Sequence, residues 1–262
     1  MRLKIFIIIL LALAFVQSSA AGVIVLNGLT HRYSGNQGET IQGEIILYNP
    51  TDAKQLIKFE LQDVHYSCES SRYFTQNTTH PRSSKTWFNG NLTDYELAPK
   101  EKFVYQFEIV IPRNQTIKGS YWNILMIEID KPMRQNKLAS TLGVDSKIRY
   151  GIGLITQIGQ AEQVAIDFEK AVLDTKKEQT KLNLALINTS FFLEEPNVAL
   201  EIYDMEGKLM LSKNSSRQKL FPESCSKYLF DISNLPNGKY ECLIIAESRN
   251  EYVGTQMSLT IE

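Results

Sequence analysis

The chain of 262 residues carries 28 Lys and Arg against 29 Asp and Glu, a net charge of −1 with a pI near 6.4. That balance excludes the basic footprint by which nucleic-acid binders are recognised. A hydrophobic content of 43% with 10% aromatics supplies enough apolar surface for two cores, and a mature chain of about 240 residues fits two β-sandwiches of roughly 100–120 residues each.

The chain opens MRLKIFIIILLALAFVQSSAAG, in which Arg2 and Lys4 precede an unbroken apolar run from Ile5 to Val16 and then small residues. This is the layout of a secretory signal peptide over residues 1–21. The run is shorter than the roughly 20 apolar residues of a spanning helix, and no later stretch approaches that length. The expectation is an exported protein, periplasmic or extracellular, with no membrane span in the mature chain.

From there the pattern alternates with period two, the signature of half-buried antiparallel strands. In IKFELQDV, Ile57, Phe59 and Leu61 share one face and Lys58, Glu60 and Gln62 the other. KFVYQFEIVIP repeats this from Phe103 to Ile111, and Pro112, with no N–H to donate, stops the ladder. SYWNILMIEI follows after the turn around RNQTIKG, and no segment before residue 160 holds a period of 3.6. The segment LASTLGVDSKIRYGIGLI, residues 138 to 155, alternates around two cations, Lys147 and Arg149, and ends among glycines.

A short polar stretch, GQAEQ over residues 159–163, separates two β patterns and divides the mature chain into domains over 22–159 and 160–262. KLNLALIN, NVALEIYD, KYLFDI, KYECLIIA and TQMSLTI are the later strand candidates, and DMEGK supplies a hairpin glycine. In DISNLPNGKYEC a Leu-Pro-x-Gly corner leads to Tyr240, two residues before the inward position Cys242. That spacing is the tyrosine corner of an Ig-like sandwich, whose phenol bonds back to the corner backbone. The fold class predicted is all-β, two Ig-like antiparallel sandwiches after a signal peptide.

Cys68, Cys225 and Cys242 make an odd count, so at least one thiol is free or intermolecular. A Cys225–Cys242 bridge is open to an exported chain, while Cys242 also reads simply as a small core hydrophobe. Five Asn-x-Ser/Thr sequons, at Asn77, Asn91, Asn114, Asn188 and Asn214, match a composition that β loops show anyway.

Catalytic constellations are missing. His31, His65 and His80 are scattered, and His65 with Cys68 falls short of the three or four ligands of a zinc site. Ser224 and Lys227 fit Ser-x-x-Lys by letter but lead into a strand rather than a helix. YGIGLI lacks the third glycine and the helix of a phosphate cradle. Glu194 and Glu195, before Pro196, read as solvated loop carboxylates. The expectation is a non-catalytic protein with no cofactor and no metal.

The first domain resembles the PapD-like periplasmic pilus-assembly chaperones over about 135 residues. The resemblance rests on NGLTHRYSG, EIILYNPTD, YELAPKEKFVYQFEI and GSYWNILMIEIDKP, in that order, each similar to a strand or turn of that family. It implies that residues 138 to 150 form a last strand that completes a partner subunit's sheet by β-augmentation, with Leu142 and Val144 as alternating hydrophobics and Lys147 beside them. It also implies that Arg32, in THRYSG, and Arg149, in SKIRYG, hold a partner's terminal carboxylate through charge-assisted bonds. The reading from the residues alone leaves these arginines open as ordinary strand cations, which also protect sheet edges. PRSSKTWFNGNL and LFPESCSKYLFDISNLPNGKY are similar to a second class, the WxL-interacting type of two-domain surface protein. The expected partner is an exported protein subunit, of a pilus or the cell surface, and the alternative is an adhesion or scaffold module.

Overall fold

The computed structural model describes residues 22–68, 71–113, 116–130, 147–176 and 179–262; the signal-peptide assignment lies outside them. Eleven-residue strands and their neighbours build four sheets. The first half holds β1 (Ile24–Val25), β2 (Thr30–Gly35), β3 (Thr40–Tyr48), β4 (Gln55–Ser67), β5 (Ser71–Thr75), a 3-10 turn at Lys85–Trp87, β6 (Phe88–Gly90), β7 (Tyr95–Leu97), β8 (Lys102–Val110), β9 (Gly119–Asp130) and β10 (Ile148–Ile158). The second holds β11 (Ile166–Lys176), β12 (Gln179–Asn188), β13 (Asn197–Asp204), β14 (Leu209–Asn214), β15 (Cys225–Asp231), β16 (Gly238–Ser248) and β17 (Glu251–Ile261).

In the first sandwich a sheet in the order β1-β3-β8-β6 faces one in the order β2-β10-β9-β4-β5, with β7 paired on β4. The period-two alternation is what permits this, since Ile57 and Phe59 of β4, Phe107 and Ile109 of β8 and Leu125 and Ile127 of β9 all turn into one core. The second sandwich sets β11-β12-β15 against β14-β13-β16-β17 around Leu184, Leu200, Tyr228, Phe230 and Ile244. Each such side chain, fully buried, contributes roughly 1.5–3 kcal/mol relative to exposure.

Two turns repeat between the halves. Asn49 directly follows β3 and Asn188 ends β12, both fully buried. The Asn49 amide donates to the carbonyls of Ala53 and Ala98, and the Asn188 amide to those of Phe192 and Leu220. Their side-chain oxygens accept from the backbone two residues on, at Thr51 and Ser190. An Asx turn of this kind satisfies polar groups that burial would otherwise leave unpaired. It also leaves the Asn188 sequon buried, with no amide free for a glycan.

The corner of the second sandwich is closed by the Tyr240 hydroxyl, which donates to the Pro236 carbonyl at 2.7 Å. Cys242 is buried and free, and burial pushes its thiol up to about 11. The Cys225–Cys242 bridge is therefore corrected: Cys68 and Cys225 form the disulfide, with Cα atoms 5.0 Å apart. Cys242 of β16 points into the second core, whereas Cys225 opens β15 in the facing sheet and meets the end of β4.

Candidate functional site

The placement of β2 and β10 defines the first candidate surface. β2 runs parallel to β10 but pairs only with Gly153 to Ile158. The first half of β10, Ile148 to Ile152, has β9 as its ladder partner and no strand on its other side among the described residues. The Gly153 N–H donates towards β2, to the Leu29 carbonyl at 3.0 Å. By the two-residue period of a strand, the N–H groups of Gly151 and Arg149 point the same way, to an open edge. Leu142 and Val144 lie outside the described residues.

Arg149 stands on the outer face of this sheet, directly across from Glu128. Its guanidinium is 3.2 Å from Glu128 and 3.3 Å from Glu60. Lys147 reaches Glu128 at 2.8 Å and Asp130 at 3.3 Å, and Lys58 reaches Asp130 at 2.5 Å. Three cations and three carboxylates thus interleave across β10, β9 and β4. Hydrogen bonds from Lys58 and then Lys147 hold the Asp130 carboxyl below its usual range. Arg32 lies elsewhere, opposite Ile155, six residues along β10 from Arg149 and so roughly 20 Å away. It pairs with Glu195 of the second sandwich at 2.5 Å. One carboxylate does not reach both arginines in this geometry.

Glu195 belongs to the second surface, the seam where the sandwiches meet. The reading of Glu194 and Glu195 as solvated is corrected. Glu194 is fully buried and gripped by Arg249 through Nη2 at 2.6 Å and Nε at 3.0 Å, with the Ser248 hydroxyl donating at 2.7 Å. A buried charge persists when it is paired and hydrogen-bonded. Arg249 and Asn250, at φ 48° and 64°, form the two-residue turn between β16 and β17 that delivers this clamp.

Across the seam, Ser120 donates its N–H to the Phe191 carbonyl and accepts from Leu193 N–H at its hydroxyl, each at 2.8 Å. Gly119 makes the approach feasible: its φ is +96°, and a Cβ there would lie 2.0 Å from the Phe191 carbonyl oxygen. A third apolar cluster fills the middle, with Val64, Trp122, Ile124, Met126 and Ile155 of the first sandwich against Leu193 and Phe221 of the second. Phe221 packs on Tyr66 at 4.3 Å and on Trp122 at 4.5 Å between ring centroids.

Under this cluster the structure gathers two of the histidines that the sequence leaves scattered. His80 stacks on Trp122 at 4.3 Å, stands edge-on to His65 at 5.3 Å, and sets Nε2 3.6 Å from the buried Asp63 carboxylate. Burial pushes the His80 ring down to about 4, against the pull of Asp63. His31 lies apart, beside Gly28 and Tyr33. A cluster of potential metal ligands, Cys68, Glu169 and Cys225, has both sulfurs committed to the disulfide.

No family model and no curated protein matches the sequence. Among solved structures the fold recurs in pilus chaperones. The class 5 fimbrial chaperone CfaA is 10% identical with a TM-score of 0.50, over 92% of this chain and 100% of that one. A chain from a chaperone–tip adhesin complex of CFA/I fimbriae biogenesis is 10% identical with a TM-score of 0.50, over 91% and 98%. The chain thus has the two-sandwich, nearly all-β fold of these chaperones, as the resemblance read from the sequence implied. No helix among the described residues is long and apolar enough to cross a membrane.

Proposed function

We propose that this protein is an exported, non-catalytic chaperone-like module that binds another exported protein subunit by offering the edge strand of residues 138–150 to an incomplete sheet. The observation that supports the reading is the half-paired β10, whose residues Ile148 to Ile152 have, among the described residues, no strand partner on the side where β2 pairs with the rest. Main-chain donors on such an edge give affinity, and alternate side chains give selectivity. The division into a leader over 1–21 and domains over 22–159 and 160–262 belongs to the same proposal.

Leu142, Val144, Lys147 and Arg149 would act along that edge, and Arg32 would act separately at the seam. Each arginine already holds an intramolecular carboxylate, so a partner carboxylate would take the place of Glu195 or Glu60 rather than fill a vacancy.

The test uses the immobilised mature protein, the exported fraction of its source, and three variants whose folding is checked by thermal melting. Arg149→Pro deletes an N–H on the open edge while leaving the ladder to β9 intact; Arg149→Ala and Arg32→Ala delete charge only. The edge reading expects one small β-rich subunit to be captured by the parent, retained in part by the alanine variants and lost by Arg149→Pro. Equal capture by all four proteins sinks it and leaves the adhesion or scaffold alternative.

A further inference from the structure

Beside the disulfide, the end of β4, the start of β5 and two segments of the second sandwich enclose a cavity of about 520 Å³. From the first sandwich come Tyr66 and Arg72; from the second come Gln218 and Lys219 ahead of β15, and Ser226 and Lys227 on it. The wall joining the two sides is the Cys68–Cys225 bridge. We propose that this cavity binds a multiply charged oxyanion, a phosphate or sulfate group.

The argument is one of charge matching. Several cations elsewhere among the described residues hold a carboxylate: Lys54 with Glu96, Lys58 with Asp130, Lys100 with Asp52, Lys118 with Glu162, Arg217 with Glu247, Arg249 with Glu194. Arg72, Lys219 and Lys227 have no carboxylate within ion-pair distance among the described residues, and no Asp or Glu among those residues lines the cavity. Glu169 is near the sulfurs but stands outside the cavity lining. Three like charges brought to one cavity from three chain segments repel one another, and a di-anion between them reverses the sign of the local energy.

The lining also offers neutral donors. Burial pushes the Tyr66 phenol up to about 12, against the opposing pull of the Arg72 charge, so it stays protonated and can donate. The Gln218 amide and Ser226 hydroxyl add further donors. A guanidinium with two ammonium groups and such neutral donors is the set that recognises phosphate or sulfate oxygens. The proposal is independent of the open edge of β10, which lies on another part of the first sandwich.

Because the walls come from both sandwiches, the site exists only while the seam is closed, and ligand binding stabilises the closed pair by mass action. Titration of the mature, oxidised protein at low ionic strength, followed by calorimetry and amide chemical shifts, tests the proposal. Probes are inorganic phosphate, inorganic sulfate, glucose 6-phosphate as an ester source, and acetate as a monoanion. Saturable 1:1 binding of the di-anions is expected, weakened about 10-fold or more in Lys219→Ala/Lys227→Ala and unchanged in Lys239→Ala, an exposed lysine elsewhere. Cys68→Ser/Cys225→Ser weakens binding as well. Glucose 6-phosphate binding at least as tightly as phosphate assigns the ligand to an ester; preference for the inorganic ions assigns it to the free anion. Acetate binding as well as phosphate, the absence of saturable di-anion binding, or an equal loss in Lys239→Ala overturns the proposal.

Discussion

The outer face of the sheet β2-β10-β9-β4-β5 is built in two ways along the same strands. At one end Trp122, Ile124 and Met126 of β9 lie under the second sandwich. On that same face of β9, two and four residues further on, Glu128 and Asp130 join the ladder with Lys58, Lys147 and Arg149. β10 follows suit: Ile155 sits opposite Trp122, Gly153 and Gly151 opposite Ile124 and Met126, and Arg149 opposite Glu128. A Cβ on Gly151 would meet Ile124 at 2.9 Å, so the glycine that closes the alternating segment makes room for the side chains beneath the seam. One strand thereby holds the molecule together at its far end and presents an edge at its near end.

If the seam is the structural half of this face, the strongest perturbation lies there. Cys68→Ser/Cys225→Ser opens a closed loop of sequence separation 157. Chemical denaturation is expected to show a loss of about 2–5 kcal/mol, towards the upper end for so long a loop. A loss under about 1 kcal/mol would mean that the noncovalent seam is sufficient alone. Gly119→Ala comes next, because it combines a positive φ with a clash against backbone that cannot swing away. It should cost about 2–4 kcal/mol, and it should leave the first core intact, as hydrogen exchange of β3 and β8 can report.

How much of this was legible follows the same division. The cores of both sandwiches were written as period-two alternation, because each strand there meets apolar neighbours on one face and water on the other. The seam broke that rule, and its signal was in plain view. YWNILMI in β9 is apolar on consecutive positions, the mark of a strand covered on both faces. Its partners Leu193 and Phe221 come from loops, where no periodicity points to burial. The Cys68–Cys225 pairing joins residues of the two sandwiches, and the open edge of β10 depends on where β2 begins, neither of which local pattern encodes.

Acidification probes the seam more gently. The native state holds His80 as a neutral ring, with its proton affinity lowered from 6.5 to about 4 by burial. Between those values the unfolded chain binds more protons, so stability falls as pH drops through about 6.5 towards about 4 and levels off below. Asp63 and His65 are the titratable groups that face the ring. His80→Phe keeps a ring on Trp122, and melting temperatures measured every half unit should fall less steeply for it than for the parent across that window. Parallel slopes would place the acid sensitivity elsewhere.

The smallest effect belongs to the other end of the face. Arg149→Ala removes one member of an exposed ladder, and surface ion pairs contribute about 0–1 kcal/mol each because water screens them and ordering long side chains costs entropy. The expected change in stability is therefore below about 1 kcal/mol, and smaller still at 0.5 M salt, where the Debye length shrinks to a few ångströms. Weakened partner capture in Arg149→Ala without loss of stability would make the ladder an interface held in reserve. A destabilisation of several kcal/mol would instead make Arg149 part of what holds β10 to β9, and the contrast between the two ends of the strand would fail.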